Sequence, residues 1–160
     1  MITVTHITAE IDRFAALQRM VNDGLADAVF YDTYPSEYWS SWEWLTEEAR
    51  CWLFRAEVDG VPAGVCWLNN FVGRSSMIHF CVFSAFQRMA LELGQAVLDH
   101  VWAQGEHDSV YGITPAPYRH ALKFVGALGF ERMGVIPNAC HMIRRNRYVD
   151  GVVTILKRGR

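Results

Sequence analysis

Several kinds of protein are excluded by what this chain lacks. It has no apolar run approaching the roughly 18–20 residues of a membrane-spanning helix, so no span is expected. It has no surplus of basic charge. Lys and Arg total 15 against 17 Asp and Glu, a net charge of −2, which leaves no electrostatic footprint for nucleic acid or an anionic membrane. Cysteines are few and scattered: Cys51, Cys66, Cys81 and Cys140. No Cys-x-x-Cys or His-x-x-x-His spacing exists, and the close pairs His79/Cys81 and Cys140/His141 do not make a metal set, so no metal is expected. Three of the cysteines fall in apolar strand-like segments and read as reduced core residues of a cytoplasmic protein. There is no Gly-x-Ser-x-Gly, Walker loop or dinucleotide fingerprint. No repeat, low-complexity tract or linker interrupts the chain, and it opens on strand-like Ile2–Ile7 without a leader pattern.

What is present suits one globular domain over residues 1–160. The sequence is 51% hydrophobic and 20% charged, enough to bury a core. Ile2–Ile7 alternates apolar and polar residues as a strand does. Thr8 is placed to cap a following helix, with Glu10 and Asp12 in its first turn and Ile11, Phe14, Leu17, Val21 and Leu25 as its apolar face. An aromatic stretch, Val29–Trp44, comes next, and its second half, from Pro35 or Ser36 to Ala49, reads as a helix. Its aromatics serve either as core or as the wall of a ligand pocket. Cys51–Val58 and Val61–Val72 are strands joined by Asp59-Gly60, the dipeptide that a type I′ hairpin turn demands. Gly64 marks a candidate bulge. Met77–Phe83 is apolar on both faces and belongs inside the sheet. Ala85–Gln104 follows as a long helix ended by Gly105, with Phe86, Met89, Ala90, Leu93, Val97 and Val101 as its buried stripe.

The most regular stretch is Val110–Pro137, which reads as strand, helix, strand. Pro115 and Pro117 precede a helix whose face is Tyr118, Ala121, Leu122, Val125 and Leu128. Gly129 stops it and Phe130 folds back on its last turn. Glu131–Pro137 resumes as a strand. Arg144, Arg145 and Arg147 form a small basic cluster, and Val149–Leu156 is a last strand. The order β-α-α-β-β-β-α-β-α-β-β predicts an α/β (α+β) fold with a mixed sheet covered by helices.

This order resembles that of the GNAT superfamily of acyl-CoA N-acyltransferases over nearly the whole chain. The local match is YRHALKFVGALGF, where Ala121, Phe124, Gly129 and Phe130 stand at positions of the family's Asn-x-x-Ala-x-x-Leu-Tyr-x-x-x-Gly-Phe pattern. Met77–Val101 similarly resembles the family's fourth strand and acyl-CoA-binding helix. The resemblance implies a mostly antiparallel sheet of six to seven strands flanked by about four helices. It also implies acetyl-CoA as co-substrate, and a small-molecule or protein amine as acceptor. A homodimer through the last strands is compatible with it. Two departures stand out. Where the family has Arg/Gln-x-x-Gly-x-Gly/Ala, this chain has Phe86–Gly94. One register puts Ala90 and Glu92 at glycine positions, and another puts Gln87 at the Arg/Gln position with Met89–Leu91 in the cradle. The family's tyrosine, which protonates the departing thiolate, aligns with Val125.

Carried over residue by residue, the resemblance assigns Val82, Phe83, Gln87, Arg88, Met89 and Ala90 to the cofactor, with backbone amides and Arg88 facing the pyrophosphate. His79 is the candidate base, as an imidazole titrating near neutrality. Tyr118, the phenol nearest the missing tyrosine, is the candidate acid. Tyr31, Trp39 and Trp42 are the candidate acceptor contacts, suited to an apolar or cationic ligand. The alternative to an acetyltransferase is a catalytically weak or inactive GNAT-fold binding or structural module.

Overall fold

The computed structural model describes residues 1–159. Seven strands form one sheet in the order β1-β2-β3-β4-β5-β7-β6. Strand β1 is Ile2–His6, β2 Trp52–Val58, β3 Val61–Val72, β4 Ser75–Val82, β5 Ser109–Pro115, β6 Glu131–Met142 and β7 Arg147–Lys157. All neighbours pair antiparallel except β4 and β5, which run parallel. The helices are α1 (Glu10–Asn22), α2 (Ala26–Val29), α3 (Tyr38–Leu45), α4 (Ala90–Ala103) and α5 (Arg119–Ala127). The sheet separates two cores. On one face, α1 to α3 pack Met20, Phe30 and Trp42 onto Leu53, Val65 and Trp67. On the other, α4 and α5 pack Leu93, Val97, Leu128 and Phe130 onto Phe54, Cys66 and Ile78.

Local chemistry sets the joints. Asp59 and Gly60 both take positive φ, 50° and 80°, as a type I′ turn requires. At the end of α5 the Phe130 amide donates to the Val125 carbonyl and the Gly129 amide to that of Gly126, both expected of a Schellman stop. Gly129 has φ 93° and Phe130 is buried beneath the turn. The register shift between Ala56 and Glu57 puts a bulge in the β2–β3 ladder. Beside it, a Cβ on Gly64 would lie 2.7 Å from the Cys81 carbonyl oxygen, so the glycine there serves close strand approach. All four cysteines are free and buried. Burial pushes the Cys51 and Cys81 thiols up to about 12, as inert core thiols require.

Five expectations are corrected. Thr8 caps nothing: Ala9 is the N-cap residue of α1, without a side-chain bond. The buried face of α1 is Ala16, Leu17 and Met20, whereas Ile11 is 78% exposed and Phe14 and Val21 are largely exposed. The Trp42 indole of α3 donates to the Arg13 carbonyl of α1 at 2.8 Å. The aromatic helix stops at Leu45, and a 3-10 turn, Pro35–Glu37, precedes it. The long helix over 85–104 is two elements, a 3-10 helix Ser84–Met89 and then α4. Finally, Pro137 does not end β6. It lies on an edge strand inside a register shift between Ile136 and Cys140, where a missing N–H breaks no ladder.

Candidate functional site

The one parallel junction is also the place where the sheet opens. β4 and β5 pair only over Ser75↔Ser109, Ser76↔Val110 and Met77↔Tyr111, although both strands continue beyond. Past that point a gap of about 230 Å³ separates them. Its walls are Ile78 and Phe80 of β4, Gly112 and Thr114 of β5, and Ala121, Phe124 and Val125 of α5. A larger chamber of about 740 Å³ lies on the α2–α3 side. Its rim carries Asp32, Glu37, Ser40 and Trp44, and its floor Asn69, Met77 and His79. Val29, Tyr31, Trp67, His79 and Ile113 line both spaces, so the gap and the chamber meet at these side chains.

The junction is held by cross-strand contacts. Trp67 and His79 face each other across β3 and β4, and their rings stack with centroids 4.9 Å apart and planes 6° from parallel. His79 Nε2 is 3.0 Å from Asn69 Oδ1; with the amide oxygen as acceptor, Nε2 carries the proton and Nδ1 keeps its lone pair. Burial lowers the His79 pKa to about 4, because the imidazolium would lose its hydration. The ordinary value near neutrality expected from sequence is therefore not retained. Two buried donors at the opening have no hydrogen-bond partner among the described residues, Trp67 Nε1 and Thr154 Oγ1. Groups so placed are open to an ordered water or a ligand.

The sequence candidates fall into two sets. His79, Tyr118 and Tyr31 come together at the gap. Tyr118 is the N-cap residue of α5 and meets Tyr31 edge to face at 6.1 Å. Burial raises the pKa of both phenols, so both stay protonated at neutral pH. The Tyr31 hydroxyl also donates to Cys140 Sγ at 3.6 Å. Trp42 is 0% exposed in the core. Trp39 packs edge to face on Phe14 and lines a different hollow beside α1. The aromatic that reaches the chamber is Trp44, one face of which carries the Arg50 guanidinium at 4.7 Å.

The six residues assigned to the cofactor, Val82, Phe83, Gln87, Arg88, Met89 and Ala90, line neither space. Their turn is closed on itself. The Phe83 amide donates to the Ala63 carbonyl and the Phe86 amide to that of Phe83. The Ala90 amide donates to the Gln87 carbonyl. The Gln87 side chain folds back to the Val82 carbonyl at 2.5 Å. The Ser84 amide is taken by Asp23 Oδ2 at 2.8 Å, a carboxylate where an anion would otherwise bind. The amides of Phe83, Ser84, Phe86 and Ala90 are thus already taken, and Asp23 sets a negative charge beside Ser84.

Several site residues escaped the sequence: Trp67, Asn69, Asp32, Glu37, Gly112 and Thr154. Some left a signal. Thr154 is the one hydroxyl in Val152–Leu156, and Asn69 and Asn70 interrupt an otherwise apolar strand.

No protein-family model matches the sequence, and no curated protein sequence matches it. Solved structures do match its fold. An N-acetyltransferase from Staphylococcus aureus Mu50 superposes with a TM-score of 0.76 at 16% identity, over 98% of this chain and 97% of that one. The spermidine N-acetyltransferase of Vibrio cholerae, solved with CoA and spermine, gives 0.77 at 15% identity over 98% and 95%. The ribosomal-protein-S5-alanine acetyltransferase of Vibrio fischeri gives 0.74 at 12% identity over 98% and 92%. The seven-stranded sheet, its single splayed parallel pair and these superpositions together make this a GNAT fold, the fold of the N-acetyltransferases it resembles.

Proposed function

We propose that the chain is an N-acetyltransferase that moves the acetyl group of acetyl-CoA to an amine of a small molecule or protein. The observation that carries this reading is the meeting of two spaces at His79, Trp67 and Tyr31, a narrow gap for a donor arm and a wider chamber for an acceptor. Acetyl-CoA supplies an activated thioester when bound. The protein's part is to orient the reactants and manage protons. His79, kept neutral by burial and bonded to Asn69, orients the acceptor amine or the water that carries off its proton, and its lowered pKa makes it a weak base there. The unpaired Trp67 Nε1–H is a donor for oxygen charge developing at the junction. The Tyr118 phenol, kept neutral by burial, is the proton source for the leaving thiol.

The chamber favours a cationic acceptor. Among the described residues neither Asp32 nor Glu37 on its rim is in an ion pair, and no Lys or Arg lines it. The Vibrio cholerae relative in fold binds spermine, a ligand of that charge.

A second reading, a binding module without turnover, draws on the closed turn capped by Asp23 and on Val125 in place of a phenol. Melting curves with acetyl-CoA separate the two, because a ligand that binds only the folded state raises its melting temperature. The enzyme reading predicts a dose-dependent rise. No shift at millimolar acetyl-CoA sinks it and leaves the binding module.

A further inference from the structure

The connection from β6 to β7 carries charge that neither the gap nor the chamber uses. It is a 3-10 turn, Ile143–Arg145, followed by Asn146 in the left-handed region at φ 43°, which asparagine tolerates better than most residues. The turn gathers Arg144, Arg145 and, at the start of β7, Arg147 at one end of the hairpin. Two contacts hold that end against α2 and the residue just beyond it. The Ile143 amide donates to the Tyr31 carbonyl at 2.8 Å, and Arg144 pairs with Asp27 at 2.6 Å. Asp27 also accepts from the Tyr38 hydroxyl. Arg144 is therefore engaged in holding the turn. Arg145 and Arg147 are exposed, and neither is in an ion pair among the described residues.

With Tyr118, these side chains line a hollow of about 390 Å³. Three guanidinium groups face one carboxylate there, a local charge of +2 on a chain whose net charge is −2. Arg145 lies close enough to Tyr118 for its charge to oppose the upward effect of burial on that phenol. The hollow shares Ala28, Tyr31 and Tyr118 with the gap, so whatever it holds lies beside the junction. Like charges gathered on one wall attract an anion. A carboxylate would neutralise one of the two free charges. A phosphate monoester carries about two and offers several oxygens to planar guanidinium forks. We propose that Arg145 and Arg147 form a phosphate site outside both the gap and the chamber, with Tyr118 on its inner wall. The phosphate belongs either to a donor lying in the gap or to a free ligand. The first source rests on the acetyltransferase reading above, and the amides already taken in the β4–α4 turn leave such a donor's phosphates without partners there.

Arg145→Gln and Arg147→Gln remove charge from exposed side chains that hold no partner among the described residues, so both variants keep the fold. Calorimetric titration of the full chain with inorganic pyrophosphate, with CoA, and with pantetheine, which lacks the phosphates, reads the effect. The wild type binds pyrophosphate, more weakly as salt rises, and binds the dicarboxylate succinate less well. Each single variant binds pyrophosphate about three- to tenfold more weakly, and the double variant loses about tenfold or more. Arg132→Gln, an exposed arginine of β6 outside the hollow, changes nothing. If the donor supplies the phosphate, the double variant loses affinity for CoA and keeps it for pantetheine. If the ligand is a free phosphate, its affinity for CoA is that of the wild type while pyrophosphate binding falls. A double variant that binds both pyrophosphate and CoA as the wild type does overturns the site and leaves the acetyltransferase reading intact. An equal loss in Arg132→Gln, or succinate bound as tightly as pyrophosphate, overturns it too. A wild type that binds pyrophosphate but not CoA keeps the site and sinks that reading, and one that binds neither overturns both.

Discussion

His79 shows how neighbours and burial together set the state of one side chain. Its ring lies flat on Trp67 and bonds Asn69, contacts that hold the neutral form in place, while burial opposes the charged one. The folded-state pKa of about 4 lies below the ordinary value near 6.5, so the unfolded chain takes up this proton first as pH falls. His79 therefore costs stability progressively between about pH 6.5 and 4, on the order of 3 kcal/mol in all, and nothing above that window. Urea unfolding of the wild type and His79→Gln across pH 4 to 8 checks this. The wild type should lose more stability than the variant on acidification. Parallel pH profiles, or an NMR titration of His79 centred near 6.5, would contradict it. The same residue shows a limit of reading from sequence. The place of His79 on β4 was legible from the sequence, but its pKa was not, because Trp67 and Asn69 reach it only through the β3–β4 register.

At the scale of elements, the connection from β4 to α4 is the least expected part of the chain. Its helical periodicity runs unbroken from Ala85, yet the first turn is 3-10. Long-range capping accounts for part of this. Asp23, at the end of α1, accepts from the Ser84 amide and pairs with Arg19 at 3.0 Å, and Arg19 in turn lies over the Phe83 ring. Sequence periodicity carries no trace of a partner 61 residues away. Asp23→Ala should cost about 1–3 kcal/mol, the range for a charge-assisted bond to a backbone amide. The loss should appear in chemical denaturation as a lower midpoint with an unchanged slope. A midpoint equal to wild type would mean that the cap contributes nothing. Elements whose signals are local behaved differently. The Asp59-Gly60 hairpin and the Gly129-Phe130 stop were legible because each depends on residues adjacent in the chain.

Over the whole molecule, the succession of strands and helices, with two crossovers through α4 and α5, was legible from alternation and turn dipeptides, whereas the insertion of β7 between β5 and β6 was not. Nor was the splay of β4 from β5. It is seen only as a ladder that stops after three pairs, and the side chains that furnish it come from α2, β3, β4, β5, α5 and β7. Tyr31 and Tyr118 reach the gap, and Trp42 lies in the core. The same global view sets the chemistry in order. On the acetyltransferase reading proposed above, the acidic-rimmed chamber receives the acceptor and the apolar gap the donor. Release of free thiol from acetyl-CoA, followed in the presence of a panel of amines that includes dications, tests that account most directly. It predicts turnover above the spontaneous rate, highest for cationic acceptors. Thiol release no faster than in the absence of protein, for every amine in the panel and at saturating acetyl-CoA, would contradict it.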